Sequence, residues 1–407
     1  MSHQSALLPA SSEPETHEAH AALDFPSSLL VARDYFPPQI GGISTMMERL
    51  VAHAGSPNLR CVVGMPGASH VATLQGRARV YRTAAAFRLL TPFDSLVMGG
   101  LLAALKLRHQ VRALILATGA EGHVGLLARR VLGLPFITFA HGNEILTLRK
   151  TEWPRPLAAV RSASAVLANS RYTAGLLHGL GVAPDRVRVV HPGCDTDRFT
   201  HNAAAAAAQR RRFGIQPDSF MLLTVANLVE RKGHDMVLRA IPRLRRTIPR
   251  LVYVIAGEGP HEAALRRLAG EIGVNDCVRF LGRIQAQDLP GLYAASDVFV
   301  MPARLRDSDN DVEGFGIVYV EAGACERPVV GGRSGGVEDA IVDGETGFLV
   351  DPLDVEAIAA TIERLWRDPE LRARLGTAGR RRVMAELTWQ HFAQRVCAAV
   401  REATGEK

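Results

Sequence analysis

Short β-branched apolar runs alternate along the chain with longer stretches whose apolar positions recur at helical spacing, the mark of parallel sheet covered by helices. In the first half the pattern predicts strands over Ser28 to Ala32, Cys61 to Met65, Ala113 to Ala117, Pro135 to Ala140, Ala165 to Ala168 and Arg188 to His191. Helices are expected between them, over Ser44 to Ala54, Gly122 to Leu132 and Thr173 to Leu180. A second series of strands follows, at Phe220 to Ala226, Val252 to Ala256, Val278 to Leu281, Val298 to Met301, Pro328 to Val330 and Gly347 to Val350. Between the series the texture changes: six alanines, Ala203 to Ala208, run into Gln209 and three arginines, and Pro217 closes the stretch. The reading is therefore an α/β chain of two doubly wound, Rossmann-like halves, residues 25–195 and 218–388, joined by a linker over 196–217. Residues 1–24 are polar and acidic and are expected to be a disordered leader. Residues 389–407 are expected to form a last helix. Two such halves imply a ligand cleft at the carboxyl ends of their strands.

Composition changes this picture little. With 47% hydrophobic and 22% charged residues, 407 positions suffice for two ordinary domains, and no uncharged apolar run is long enough to span a bilayer. Cys61, Cys194, Cys277, Cys325 and Cys397 are widely spaced and odd in number, which reads as reduced, buried thiols of a cytoplasmic protein without metal-ligand spacing. The charge is more telling. Residues 25–200 carry 20 Lys and Arg against 9 Asp and Glu, whereas residues 201–407 carry 28 of each. Lys106, Arg108 and Arg112 cluster in an amphipathic stretch with Leu101, Leu102, Leu105 and Leu107; it is either a solvated helix face or a surface drawn to anionic lipid or a phosphorylated acceptor. Nucleic acid is not expected, because no aromatic stacking motif accompanies the dispersed basic residues.

Candidate chemistry sits in the loops after strands. Gly41 and Gly42 fall between the first strand and its helix, where backbone can approach a phosphate or sugar closely. His141, in His141-Gly142-Asn143-Glu144, directly follows a strand. In the second half, Asn227 to Gly233 is another strand–polar loop–helix junction, with Arg231 and Lys232 able to neutralise a diphosphate. The stretch Met301 to Pro352 holds Glu313 and Glu321, eight residues apart. A tight turn at Gly314 to Gly316 followed by a helix from about Phe315 would set Glu313 beside unpaired N–H groups, and Glu321 in an otherwise apolar run. Neither GxGxxG nor GxxxxGK[ST] occurs, which argues against dinucleotide oxidoreductases and P-loop NTPases.

Taken together and in this order, the Gly41-Gly42 loop, His141, Glu230-Arg231-Lys232-Gly233, Glu313-x7-Glu321 and the tail from Ser334 to Pro352 resemble the retaining glycosyltransferases of family 4, whose fold is called GT-B. The resemblance covers roughly residues 25–395. Within the family, Met301-Pro302-Ala303-Arg304-Leu305-Arg306 leading into Asp311-Val312-Glu313-Gly314 is most similar to bacterial phosphatidylinositol-mannoside mannosyltransferases, which use GDP-mannose. The resemblance implies a last helix that crosses back onto the first domain, and the following roles. Lys232 holds the donor diphosphate, Glu313 a sugar hydroxyl, and Glu321 the ribose hydroxyls. The amides of Gly314, Phe315, Gly316 and Ile317 line the sugar and phosphate, His141 meets the donor sugar near the reacting centre, and Arg283 lies in the segment meeting the base. One position departs from the family: Asn227 stands where an arginine is usual, unless Arg231 substitutes.

The implied reaction is metal-independent hexosyl transfer with retention, from a nucleotide sugar to a hydroxyl of a lipid-linked, polysaccharide or phosphorylated glycan acceptor, with no cofactor. Diphosphate departure would be helped by cations and helix N-termini. The enzyme would be cytoplasmic, at most peripheral on the inner membrane face. Two alternatives remain at this point: a nucleotide-sugar epimerase on the same fold, and a catalytically weakened membrane scaffold.

Overall fold

The computed structural model describes residues 23–39, 41–64, 71–75, 78–83, 92–151, 154–306 and 311–406. The expected leader lies almost wholly outside the described residues, as do Ile40 and Met65. The first half forms one sheet from β1 (Ser28–Arg33), β2 (Leu59–Gly64), β3 (Val71–Gln75), β4 (Ala78–Thr83), β5 (Ala113–Leu116), β6 (Phe136–Ala140), β7 (Ala165–Ala168) and β8 (Val187–Val189), in spatial order β3-β4-β2-β1-β5-β6-β7-β8. All neighbours are parallel except β3 with β4. The second half forms a parallel sheet from β9 (Phe220–Val225), β10 (Leu251–Ala256), β11 (Val278–Gly282), β12 (Val298–Met301), β13 (Val329–Gly332) and β14 (Gly347–Val350), in order β11-β10-β9-β12-β13-β14.

The two doubly wound halves expected from the apolar alternation are thus present, and most strand limits differ by only one or two residues. β3 and β4 were not foreseen. β4 alternates buried Ala78 and Val80 with exposed Arg79, so this edge pair lacks the continuous apolar run that marks a strand buried on both faces. Each sheet has apolar clusters on both faces. Leu29, Val31 and Leu114 point to one side of the first sheet, and Leu30, Ala32 and Ile115 to the other. This is the strand period of two acting inside an all-apolar run.

The strand orders fix where a ligand can enter. In the first sheet β1 is flanked by β2 and β5, and in the second β9 is flanked by β10 and β12, so the direction of winding reverses at β1 and at β9. Loops diverge at such points and leave a crevice at the strands' carboxyl ends. The loops leaving β1, β6, β9 and β12 carry Gly41-Gly42, His141, Asn227 to Lys232, and Glu313.

Residues 196–217 are not open chain. Asn202 caps the helix Ala203–Arg212, its Oδ1 accepting the Ala205 N–H at 2.9 Å, and Arg210 reaches Asp297 at 2.9 Å. The Ala-rich face lies against the helix Leu289–Ala295, where a side chain at Gly291 would meet Gln209 and Ala205 at 3.1 and 3.4 Å. The stretch holds a helix of the second half, favoured by the alanine run's propensity and fixed by its cap, the Arg210–Asp297 pair and this packing.

The last helix, Trp389–Thr404, starts from a Thr388 cap and buries Trp389, Phe392, Val396 and Val400 in the same apolar cluster as Leu30, Ile115 and Phe139 of the first sheet. Phe392 lies 5.9 Å from Phe139 with the rings tilted by 30°, and edge-on to Trp389 at 5.6 Å. Cys194 and Trp389 exchange backbone hydrogen bonds with Leu387 and Cys194 at 2.8 and 3.3 Å, stitching the two interdomain crossings together. Phe392→Ala is expected to cost about 3–5 kcal/mol in urea unfolding, through lost burial and an uncollapsed cavity. A cost below about 1 kcal/mol would mean the helix is not part of the first domain's core.

Candidate functional site

Between the halves lies a cavity of about 470 Å³. Its walls include Gly41, Gly42, His141, Asn227, Arg231, Lys232, Arg283, Glu313, Gly314, Phe315, Gly316 and Ile317, which brings all the expected site residues together except Glu321. Glu321 is not among the lining residues, and its Oε2 accepts the Tyr293 hydroxyl at 2.7 Å. Burial raises the Glu321 carboxyl above its ordinary value, partly offset by that hydroxyl and by Arg198 and Arg49.

At the centre is Glu313. Arg231 donates to its Oε2 at 2.7 Å, and Lys232 Nζ contacts the same oxygen. Only 9% of Lys232 and 9% of Glu313 is exposed, so a carboxylate and two cations share one largely dry volume. Burial pushes the Glu313 carboxyl up, but Lys232 and then Arg231 more than offset it and hold it below the usual range. For Lys232, burial lowers the ammonium and Glu313 only partly restores it. Arg231 also pairs with Asp311, so the arrangement is a cluster of two cations and two carboxylates facing an open cleft.

The helix Ile317–Ala324 begins two residues later than expected, because Gly316 adopts φ 91° and the first helical residue follows it. The N–H groups of Gly314, Phe315, Gly316 and Ile317 donate no backbone hydrogen bond among the described residues, so they are available to a ligand. The loop before it is clamped from behind. Arg304, 8% exposed, donates to both oxygens of Asp235 at 3.1 Å and to Glu230 at 3.3 Å, and its own N–H donates to the Arg231 carbonyl at 2.8 Å.

His141 is fixed by burial and a single bond. Its Nε2 lies 2.8 Å from the Ala117 carbonyl, which can only accept, so Nε2 carries the proton; the buried Nδ1 has no partner and is left as an acceptor. His234, just behind Lys232, is kept neutral: burial, then Lys232, push it down to about 3.

The two halves touch across this site. A side chain at Gly314 would lie 2.1 Å from the His141 carbonyl oxygen, so only glycine permits the approach. Asn143 donates to Asp311 at 2.9 Å and accepts the Val312 N–H at 2.8 Å. Asp339 pairs with Arg171 at 2.5 Å and His191 at 3.3 Å, and His191 stacks on Phe315 with 5.3 Å between rings. Asn143, Asp311, Arg304 and Asp235 were not singled out in the sequence; the signal for Asn143 was its place in the His141 motif.

Three Asp-x-Asp spacings occur in the chain, Asp195 with Asp197 and two in the run Asp307-Ser308-Asp309-Asn310-Asp311. Residues 307–310 lie outside the described residues; Asp311 is 2.6 Å from Arg231 Nε and Asp195 is 3.4 Å from Arg49. Among the described residues no three His, Cys, Asp or Glu side chains could hold a metal ion together. None of the described helices is long and apolar enough to cross a membrane.

A paired-sheet crevice with a cationic pocket at a helix N-terminus is the architecture of GT-B glycosyltransferases. The family model "Glycosyltransferase Family 4" matches residues 40–198, and "Glycosyl transferases group 1" matches residues 206–382. A GDP-mannose-dependent α-(1-6)-phosphatidylinositol monomannoside mannosyltransferase of Mycolicibacterium smegmatis is 35% identical over 89% of this chain and 95% of its own. A D-inositol 3-phosphate glycosyltransferase of Salinispora arenicola is 36% identical over 64% of this chain and 62% of its own. In fold, Anabaena Alr3699/HepE, solved with UDP and glucose, superposes with TM-score 0.73 over 92% of this chain and 98% of its own at 20% identity. Sucrose-phosphate synthase of Thermosynechococcus elongatus does so with TM-score 0.73 over 91% and 97% at 23% identity. The chain belongs to family 4 of the glycosyltransferases, enzymes that transfer a sugar from a nucleotide sugar.

Glu121, just beyond β5, is fully buried. Its Oε2 accepts the Thr118 N–H and hydroxyl at 3.0 and 2.7 Å, while Oε1 has no partner. Burial, partly countered by Thr118, pushes the carboxyl up to about 7. A raised acid pKa favours the folded state below the unfolded value, and that contribution disappears as pH rises through the folded value. The wild-type chain should therefore lose about 2–4 kcal/mol relative to Glu121→Gln between roughly pH 4.5 and 7 in paired denaturant titrations. Parallel pH profiles of the two proteins would contradict this.

Proposed function

We propose that the chain is a retaining, metal-independent mannosyltransferase that moves mannose from GDP-mannose to a hydroxyl of an acceptor bearing phosphoinositol. The observation that carries the reading is the pair of cations, Arg231 and Lys232, converging on Glu313 beneath the free amides of 314–317. Such a pocket suits a leaving diphosphate: the cations and amides take up the charge that develops as the glycosidic bond breaks. Glu313 then serves as a hydroxyl-binding positioner, and His141 Nδ1 offers an acceptor to a donor-sugar hydroxyl. Nothing in the site demands a covalent glycosyl-enzyme, so retention is assigned to entry of the acceptor on the face the diphosphate leaves. The two cations also supply the reason for metal independence.

Donor and acceptor classes rest on the named relatives, which use GDP-mannose with phosphatidylinositol mannoside or act on inositol 3-phosphate. Peripheral contact with an anionic membrane is supported by the basic first half and by Leu107, 83% exposed next to Arg108. Arg231 in the cavity wall weakens the motive for the scaffold alternative, since a second cation is present despite Asn227.

GDP-, UDP- and ADP-sugars, each tried with and without phosphatidylinositol mannoside and inositol phosphate, separate the readings. Diphosphate release from GDP-mannose only with an acceptor, and an α-linked product by NMR, are expected. Release of an altered free sugar, or no release with any donor, contradicts the proposal. Lys232→Ala leaves Glu313 paired with Arg231, so the fold should persist while GDP affinity drops by about ten- to a hundredfold in calorimetry.

A further inference from the structure

Arg231 owes its place to the other domain. Its Nε lies 2.6 Å from Asp311 Oδ1, and that same oxygen accepts the Asn143 side-chain amide at 2.9 Å. The Asn143 carbonyl oxygen in turn accepts the Val312 N–H at 2.8 Å, so this one side chain grips two consecutive residues just ahead of Glu313. Asp311 is also joined to Arg306 by reciprocal backbone hydrogen bonds of 2.9 and 3.2 Å, which closes the loop on the second-domain side. Asn143 belongs to the first domain, at the start of the helix Asn143–Thr151, immediately after His141 and Gly142. The route is therefore Asn143 to Asp311 to Arg231 to Glu313, crossing the cleft once.

Lys232 has no such dependence. It is buried at the end of the short helix Glu230–Lys232, and the next residue, Gly233, packs on the Pro302 carbonyl of the same domain, 2.2 Å from where a Gly233 side chain would begin. Arg231 is the more exposed cation, 19% of its side chain against 11% for Lys232; it hydrogen-bonds Glu313 through Nη1, while its Nε meets Asp311 as an ion pair without hydrogen-bond alignment, so its placement depends on where the Asp311 carboxylate is held. At Asn227, where the family arginine is absent, the chain offers an exposed amide, so the second diphosphate charge can come only from Arg231 within this loop.

We propose that Asn143 is a positioning residue for the donor: through Asp311 it sets Arg231 against the diphosphate, and it can do so only when the two domains meet. This rests on the donor-site reading above and adds that the second cation is installed by closure rather than preformed. Removing Asn143 frees the Asp311 carboxylate to draw Arg231 off its orientation toward Glu313 and the diphosphate.

The test uses the full chain, GDP calorimetry and initial rates with GDP-mannose and phosphatidylinositol mannoside. Arg231→Ala should weaken GDP by about tenfold or more. Asn143→Ala should weaken it by about threefold to tenfold and raise the donor KM, with the thermal midpoint held, and in the Arg231→Ala background it should add nothing. Asn143→Asp, which keeps the size but sets a second carboxylate against Asp311, should be worse than Asn143→Ala. A full-sized Asn143→Ala effect without Arg231, or no effect with it, overturns the proposal. The donor reading fails separately, if Lys232→Ala and Arg231→Ala both leave GDP affinity unchanged.

Discussion

A carboxylate and two cations buried together at the crevice between the domains set the terms for the rest of the molecule. Leaving any one of Glu313, Lys232 and Arg231 unpaired in that volume costs on the order of 3–5 kcal/mol, so the surrounding chain has to hold all three in register. The elements that do so are drawn from distant parts of the sequence: the loop after β9 supplies the cations, the loop after β12 the acid, and Arg304 ties one loop to the other through Asp235 and Glu230. The two cations, opening on the cleft, are what make the cluster a site as well as a structural knot. A diphosphate can displace Glu313 from the cations without leaving them unpaired, and the freed carboxylate can accept sugar hydroxyls.

The close meeting of the halves follows from the same requirement. Free amides at residues 314–317 are useful only if water is excluded on binding, which needs the first domain to come down on this loop. Gly314 against the His141 carbonyl, Asn143 on Asp311 and Val312, and Arg171 with His191 on Asp339 are the contacts through which it does. They are polar and small rather than apolar and large, the kind of interface that opens and closes, while the apolar Trp389–Thr404 helix makes the permanent attachment.

Most of this architecture was legible in the sequence because parallel strands buried on both faces write themselves as continuous apolar runs, and because switch-point loops follow them directly. His141, Lys232 and Glu313 stand in such loops, and the structure brings them to one cavity. What the sequence hid has physical causes as well. β3 and β4 lie at an edge and alternate, the alanine-rich stretch reads as a linker by texture yet packs as a helix, and Gly316 delays the helix past Phe315 because of its backbone angle. Glu321 reads as a ligand-facing carboxylate because its neighbours are apolar; in the structure Tyr293 from a separate helix holds one of its oxygens, a partner that no local pattern encodes. Arg304 and Asn143 were missed since their roles depend on partners about 70 and 170 positions away, which no local pattern encodes. Asn227 looked like a missing charge, and the structure sets Arg231 in the same cavity wall.

Whether this buried cluster receives a donor diphosphate is decided by a crystal structure of the full chain with GDP. The β-phosphate is expected on Lys232 and Arg231 under the amides of 314–317, with Glu313 turned away from Lys232. A GDP bound elsewhere, with the Lys232–Glu313 pair intact, would contradict it.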